Sequence, residues 1–275
     1  MAVVFGSGHR ELADIEGARV LHYASIPHFP IPTNIGHRSE LVFSRIHGKN
    51  VLLFKGRIHP LEGYRSFYHC WLGYLVAHLG CQLLISTNAC GAISTDLKVG
   101  DVMIMEDHLN CSHQPFLNAL LLDDRFRTAH PSYLQSASIA HNAEMVKFAK
   151  AAGMEEGLDL ISGPYDYWVL PNFETTADIQ YTKEVGALVT GASTVPEQIA
   201  ATLMGLKTLG LGAVSNPATG TIDGWVHDAA YYLTSAKLSL SNIKKIAWKV
   251  IERFDLDPSH QFKHDLTGIA SLRLR

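Results

Sequence analysis

An arginine, a histidine and a glutamate fall within the six residues Arg57-Ile58-His59-Pro60-Leu61-Glu62, soon after the apolar run Val51-Leu52-Leu53-Phe54. Side chains two apart on extended chain point to one side, so Arg57 and His59 are placed to address one ligand. An arginine fork suits the paired oxygens of a carboxylate or phosphate. By itself such a pair is more often a surface salt bridge, here between Arg57 and Glu62, beside a satisfied histidine.

Two further turns shift that balance. Gly6-Ser7-Gly8-His9 follows a short apolar run but lacks the third glycine of a dinucleotide fingerprint, since position 11 is Glu. What it offers is a hydroxyl and backbone N–H groups at a strand-to-helix turn. In Gly191-Ala192-Ser193-Thr194-Val195-Pro196, Pro196 sits early in an expected helix whose first N–H groups stay free. An arginine fork, two hydroxyl turns and backbone amides suit an oxyanion with tetrahedral oxygens. Glu174 and Asn216 also follow apolar runs, where polar groups are costly unless paired. An acid that accepts N–H groups, an amide that donates and accepts, and Phe173 as a stacking face suit a flat heterocycle. The plainer alternative is capping, with Asn172 as N-cap, Glu174 in the first turn of a helix and Asn216 opening a turn before Pro217.

These residues need a scaffold that gathers strand ends. Strand-like runs begin at residues 2, 18, 40, 51, 82, 101, 164, 187 and 208 and alternate with helical patterns over 66–80, 139–153, 175–186, 195–205 and 231–254. Gly80, Gly153, Gly186 and Gly205 read as helix C-caps. The pattern implies an α/β fold with a central mixed, largely parallel twisted sheet flanked by helices, in a single domain over residues 1–275. Ligands of such sheets bind beyond the carboxyl ends of the strands. Six strand ends carry small or polar groups: Gly6 to His9, Arg57 and His59, Asn88 to Gly91, Asn172 to Glu174, Ser193 with Thr194, and Asn216.

Composition narrows the chemistry. The 275 residues are 47% hydrophobic and 18% charged, with a formal net charge of -3, which disfavours nucleic acid as a partner. No apolar run reaches the length of a membrane span, and the start lacks a basic leader, so a cytoplasmic location is expected. Cys70, Cys81, Cys90 and Cys111 have no CxxC spacing and read as buried reduced thiols; the 15 histidines form no recognisable metal-ligand spacing. No serine occupies a GxSxG elbow.

Taken in order, the segments "GSG…LAD", "IPHFPIPT…GH", "GRIH…EGY", "STNACGAI", "GDVMIMEDHLN", "NFET", "GASTVPE" and "GL…SN" resemble the trimeric purine nucleoside phosphorylases, over nearly the whole chain. The resemblance implies a homotrimer that splits purine nucleosides with inorganic phosphate as co-substrate and with no metal or organic cofactor. It implies phosphate ligands at Ser7, His37, Arg57, His59, the backbone N–H of Ala89, and Ser193. It implies purine contacts at Glu174, Asn216 and Phe173, with Asn216, Glu174 and His59 as the catalytic set. The sugar would meet Phe173, Ala192, Leu61 and His227, with Phe126 lent to a neighbouring subunit's site.

The departures fall around the sugar. Leu61 stands where the family carries a tyrosine, Ala192 where it carries a methionine, and Ser215 where it carries a threonine. Leu170 replaces a glycine, His9 a leucine, and the loop before His227 is shortened. Phosphate and base contacts are thus kept while the sugar surroundings are rebuilt. Two alternatives therefore stay open: a shifted specificity, toward methylthioadenosine or methylthioinosine, and a purine-binding homologue with little turnover.

Overall fold

The computed structural model describes residues 1–33, 37–64, 66–112, 138, 140–169 and 172–260. Alternation along the first strand, β1 (Ala2–Val4), sorts the core into two layers: Ala2 and Val4 pack on one face of the sheet, Met1, Val3 and Phe5 on the other. The remaining strands are β2 (Arg19–His22), β3 (Glu40–Ile46), β4 (Lys49–Phe54), β5 (Leu83–Ala92), β6 (Val102–Leu109), β7 (Ser162–Tyr167), β8 (Val189–Gly191) and β9 (Lys207–Pro217). Each coincides with or overlaps one of the expected apolar runs. Their order is β2-β3-β4-β1-β5-β8-β7-β6-β9, and β9 pairs back onto β5. Five strands, β5-β8-β7-β6-β9, therefore close on themselves into a ring. Parallel pairs (β1 with β4 and β5, β5 with β9, β6 with β7, β7 with β8) mix with antiparallel ones, as expected of a mixed sheet.

Helices cover both faces. On one side lie α1 (Trp71–His78) and α4 (Val195–Leu203), which contribute Leu72, Val76, Ile199 and Ala200 to the core. On the other lie α2 (Ala143–Glu155) and α6 (Leu240–Arg253); Ile243, Ile246, Ala247, Val250 and Ile251 recur at helical spacing and are all buried. The other α-helices among the described residues are α3 (Thr176–Glu184) and α5 (Ala229–Ser235).

The structure corrects two expectations about helix limits. Gly153 is not a cap but an interior residue of α2, where an added Cβ would lie 2.5 Å from Leu160 Cδ1. The helix instead stops at Gly157, whose φ of 71° permits the paired closing bonds Gly157 N–H to Met154 O and Leu158 N–H to Gly153 O. Gly80, Gly186 and Gly205 do cap their helices in the same way. The expected long helix over 231–254 is broken at a 3₁₀ turn, Ala236–Ser239. Ser235 Oγ lies 2.7 Å from Tyr231 O and 2.5 Å from Ser215 O on β9, and such side-chain bonds compete with the helical ladder. The break sets Ala236 against the Gly8 turn.

Candidate active site

The carboxyl ends of β1, β4 and β8 meet around Arg57, and β8 reaches them by running antiparallel to β5. Its Nη1 donates to Ser193 Oγ at 3.1 Å and Thr194 Oγ1 at 3.4 Å, and its Nη2 donates to Val4 O at 3.3 Å. Nη2 also lies 3.0 Å from Glu197 Oε1 in the first turn of α4, and both side chains are 3% exposed. The salt bridge considered between Arg57 and Glu62 is absent among the described contacts; Glu197 takes the arginine instead. Thr194, the N-cap of α4, holds φ at 77°, a strained value for a threonine that turns β8 sharply into the helix.

His59, two residues after Arg57, is held by Glu62. The carboxylate Oε1 accepts from His59 N–H at 2.7 Å and lies 3.3 Å from Nδ1, while Oε2 accepts from the Thr33 hydroxyl at 2.8 Å and from Thr33 N–H. Burial alone would raise this carboxyl, but the donors from His59 and Thr33 outweigh it and bring Glu62 down to about 2. His37 packs against Gly56, whose φ of 123° and missing Cβ admit the ring, and its centroid lies 5.0 Å from that of His59. Burial, then the charges of His59 and Arg57, hold His37 well below the usual histidine range. Arg57 Nε and His37 Nε2 are buried with no hydrogen-bond partner among the described residues. Ser7 lies half-buried at the turn after β1, and Ala89 half-buried in β5.

A second group forms on the same ends of the ring. Gly91 on β5 pairs with Thr190 on β8 and with Asn216 on β9. A Cβ at Gly91 would lie 3.1 Å from Asn216 Nδ2 and 3.4 Å from Thr190 Cγ2, so the absent side chain keeps open the gap between these two. The register of β5 and β9 slips here: Cys90 pairs with Val214 but Gly91 with Asn216, which leaves Ser215 as an extra residue. Such bulges re-aim side chains. The bulge fixes the Asn216 amide: Oδ1 lies 2.7 Å from the Ser215 hydroxyl, and Nδ2 donates to Pro217 O at 2.8 Å. One amide hydrogen remains for a ligand. Thr190 Oγ1 donates to Glu174 Oε1 at 2.7 Å.

Phe173 is half exposed beside this group and stacks on His227, with centroids 4.0 Å apart and planes 6° from parallel. Both ring nitrogens of His227 are engaged, Nε2 with Thr219 Oγ1 at 2.8 Å and Nδ1 with the Tyr232 hydroxyl. Burial lowers the His227 pKa, with Glu174 pulling the other way. Ala192 is half-buried between Gly191 and Ser193.

The model of the Phosphorylase superfamily matches residues 1–252. The chain belongs to that superfamily. Its relatives in the family include purine nucleoside phosphorylase 1 of Bacillus subtilis, 32% identical over 81% of both chains, and the purine nucleoside phosphorylase of Mus musculus, 36% identical over 78% of this chain and 75% of that one. Among solved structures, Schistosoma mansoni purine nucleoside phosphorylase in complex with adenosine superposes with a TM-score of 0.82 at 25% identity, covering 93% of this chain and 91% of that one.

The structure thus gathers Arg57, His59, His37 and Ser193, and separately Glu174, Asn216, Phe173 and His227. Asn172 is not the cap of the helix that follows. Thr175 is, through a box with Asp178 at 3.2 and 2.9 Å, which leaves Glu174 outside the helix and turned to Thr190. Phe126 and Leu170 lie outside the described residues, as does the Leu61 side chain, although its backbone forms the 3₁₀ turn Pro60–Glu62. The residues around these two groups that sequence reasoning missed are Glu197, Thr190, Asp166 and Tyr165. Tyr165 reaches from β7 to accept from Asn88 Nδ2 at 2.9 Å and from Ser193 N–H at 3.4 Å. The acid in "STVPE" and the polar residues inside apolar strands were the available signals. None of the four cysteines is in a disulfide; Cys70, Cys81 and Cys90 are buried and Cys111 is half-buried.

Proposed function

We propose that this family member phosphorolyses purine nucleosides, with inorganic phosphate as co-substrate, to free base and pentose 1-phosphate. One observation carries the reading: the β8-to-α4 turn serves both groups, since Thr190 donates to Glu174 and, three residues on, Ser193 accepts from Arg57. An anion at the arginine and a heterocycle at the glutamate are thereby held at adjoining positions, as a sugar between them requires. Ser7, His37, Arg57, His59, the Ala89 N–H and Ser193 hold the phosphate. Glu174 accepts from the pyrimidine edge of the base, and Phe173 lies against base and sugar. As the glycosidic bond breaks, negative charge builds on the purine and the sugar takes on oxocarbenium character. The spare Asn216 N–H, already oriented by Ser215, stabilises that charge, an effect that is commonly the largest in catalysis. Phosphate positioned under the sugar captures the cation.

The reading extends to one domain over residues 1–275, a homotrimer in which Phe126 completes a neighbour's site, a cytoplasmic location and no metal or organic cofactor. No helix among the described residues is long and apolar enough to cross a membrane. The engagement of both His227 nitrogens favours a second reading of the sugar site, a preference for nucleosides altered at the 5′ position, such as methylthioinosine. Incubation of the purified chain with inosine, guanosine, adenosine, methylthioinosine and methylthioadenosine, with and without phosphate, decides. Phosphate-dependent base release with a sugar 1-phosphate supports phosphorolysis and ranks the substrates. Base binding without release identifies a binding protein instead.

A further inference from the structure

Asp166 on β7, Thr190 on β8, Gly91 on β5 and Asn216 on β9 occupy one register row across four strands. Paired residues in a sheet face the same side, so the row continues past Thr190 to Asp166. Asp166 is fully buried, and neither carboxyl oxygen makes a well-formed hydrogen bond among the described residues. An acid so placed is costly when ionised unless it is paired or hydrogen-bonded, which favours its protonated form. Four groups face it from the surrounding elements: Cys111 after β6, Thr190 on β8, Glu174 before α3 and Asp178 on α3. Burial raises the carboxyl to about 6; Glu174 and Asp178 add to the rise, while Cys111 and Thr190, close by, moderate it.

We propose that Asp166 is a positioning residue for base recognition, which acts on Glu174 through the Thr190 hydroxyl and carries a proton that sets the charge behind the base edge. The geometry is a chain of three groups. The single Thr190 hydroxyl hydrogen goes to Glu174 Oε1, and its lone pairs are left to accept from a protonated Asp166. When Asp166 is ionised, a second negative charge stands behind Glu174 and strengthens its hold on the N–H groups of a 6-oxopurine. When Asp166 takes a proton from solvent, that charge is withdrawn and the hold weakens. Base affinity therefore falls as pH is lowered through about 6. The substrate in this inference rests on the phosphorolytic reading above.

The experiment is the KM for inosine at saturating phosphate from about pH 5 to about pH 8, taken as a wild-type to variant ratio so that ionisation of phosphate cancels. Wild-type KM should rise roughly 3- to 10-fold below about pH 6. Asp166→Asn should stay at the weakened level throughout, with plateau kcat within about twofold of wild type. Thr190→Val should match it, while Thr190→Ser, which keeps the hydroxyl, should keep the wild-type profile. Survival of the acid limb in Asp166→Asn or Thr190→Val overturns the proposal. If Asp166→Asn does not fold, the two Thr190 variants decide alone. If wild-type protein binds base without turning nucleoside over, phosphorolysis falls, and the same pH series on hypoxanthine binding by calorimetry still decides the relay.

Discussion

Arg57 Nη2 and Glu197 Oε1 are 3.0 Å apart with both side chains 3% exposed, so the Arg57 cation is neutralised inside the protein. Burial raises the Glu197 carboxyl and Arg57 pulls it back. Removing one partner leaves an uncompensated buried charge, which costs about 3–5 kcal/mol. Glu197→Ala should lose that much stability in urea unfolding, whereas Glu197→Gln, which keeps the shape, should lose less and raise the KM for phosphate by shifting Arg57. An unchanged unfolding midpoint in Glu197→Ala would show that the pair carries no structural role.

In the proposed phosphorolysis, Asn216 is the donor on which the chemical step depends. Its amide is fixed before substrate arrives by Ser215 at 2.7 Å and Pro217 at 2.8 Å. Asn216→Ala should lower inosine kcat by ~10²-fold or more, the size of losing one oxyanion donor. Ser215→Ala, which frees the amide to rotate, should give a smaller loss in kcat with little change in phosphate KM. Near wild-type turnover in Asn216→Ala removes the assignment.

At the proposed sugar end, His227 has no ring nitrogen to spare, since Thr219 and Tyr232 take both. A 5′-hydroxyl should therefore gain less than the usual hydrogen-bond increment. Inosine and 5′-deoxyinosine should show KM values within about threefold of each other, against the roughly tenfold or larger gap of a fully used hydrogen bond. A tenfold loss for the 5′-deoxy substrate means that His227 swings to the sugar.

The strands were legible because β-branched and apolar runs with turn residues between them leave a local signature, and Arg57, Glu174 and Asn216 stood out as polar groups at their ends. What binds these residues was not legible. Glu197 meets Arg57 across 140 residues of chain, a pairing no local pattern encodes. The bulge at Ser215 inserts one small residue into an otherwise regular strand, and only the register against β5 reveals it. Ring closure of β9 onto β5 is likewise a long-range event. Gly153 and Asn172 show local rules losing to neighbours: Leu160 packs where a Cβ would stand, and the Thr175–Asp178 box outcompetes Asn172.

His9 provides a pH test of the whole fold. It is fully buried between Thr87 Oγ1, 3.0 Å from Nδ1, and Ser239 Oγ, 3.4 Å from Nε2, and so ties the Gly8 turn to the end of the 3₁₀ break. Burial, with Arg57 acting in the same direction, lowers its pKa from 6.5 to about 4. Between those values the unfolded chain binds a proton that the folded chain refuses, so stability is complete above pH 6.5 and declines as pH falls toward about 4. One such histidine accounts for about 2–3 kcal/mol over that window. His9→Gln, which keeps a polar side chain without titrating, should flatten this part of the stability profile in urea unfolding series at stepped pH. A profile as steep as wild type in that variant would show that the acid sensitivity arises elsewhere, with buried His69 and half-buried His141, each lowered to about 4, as the next groups to replace.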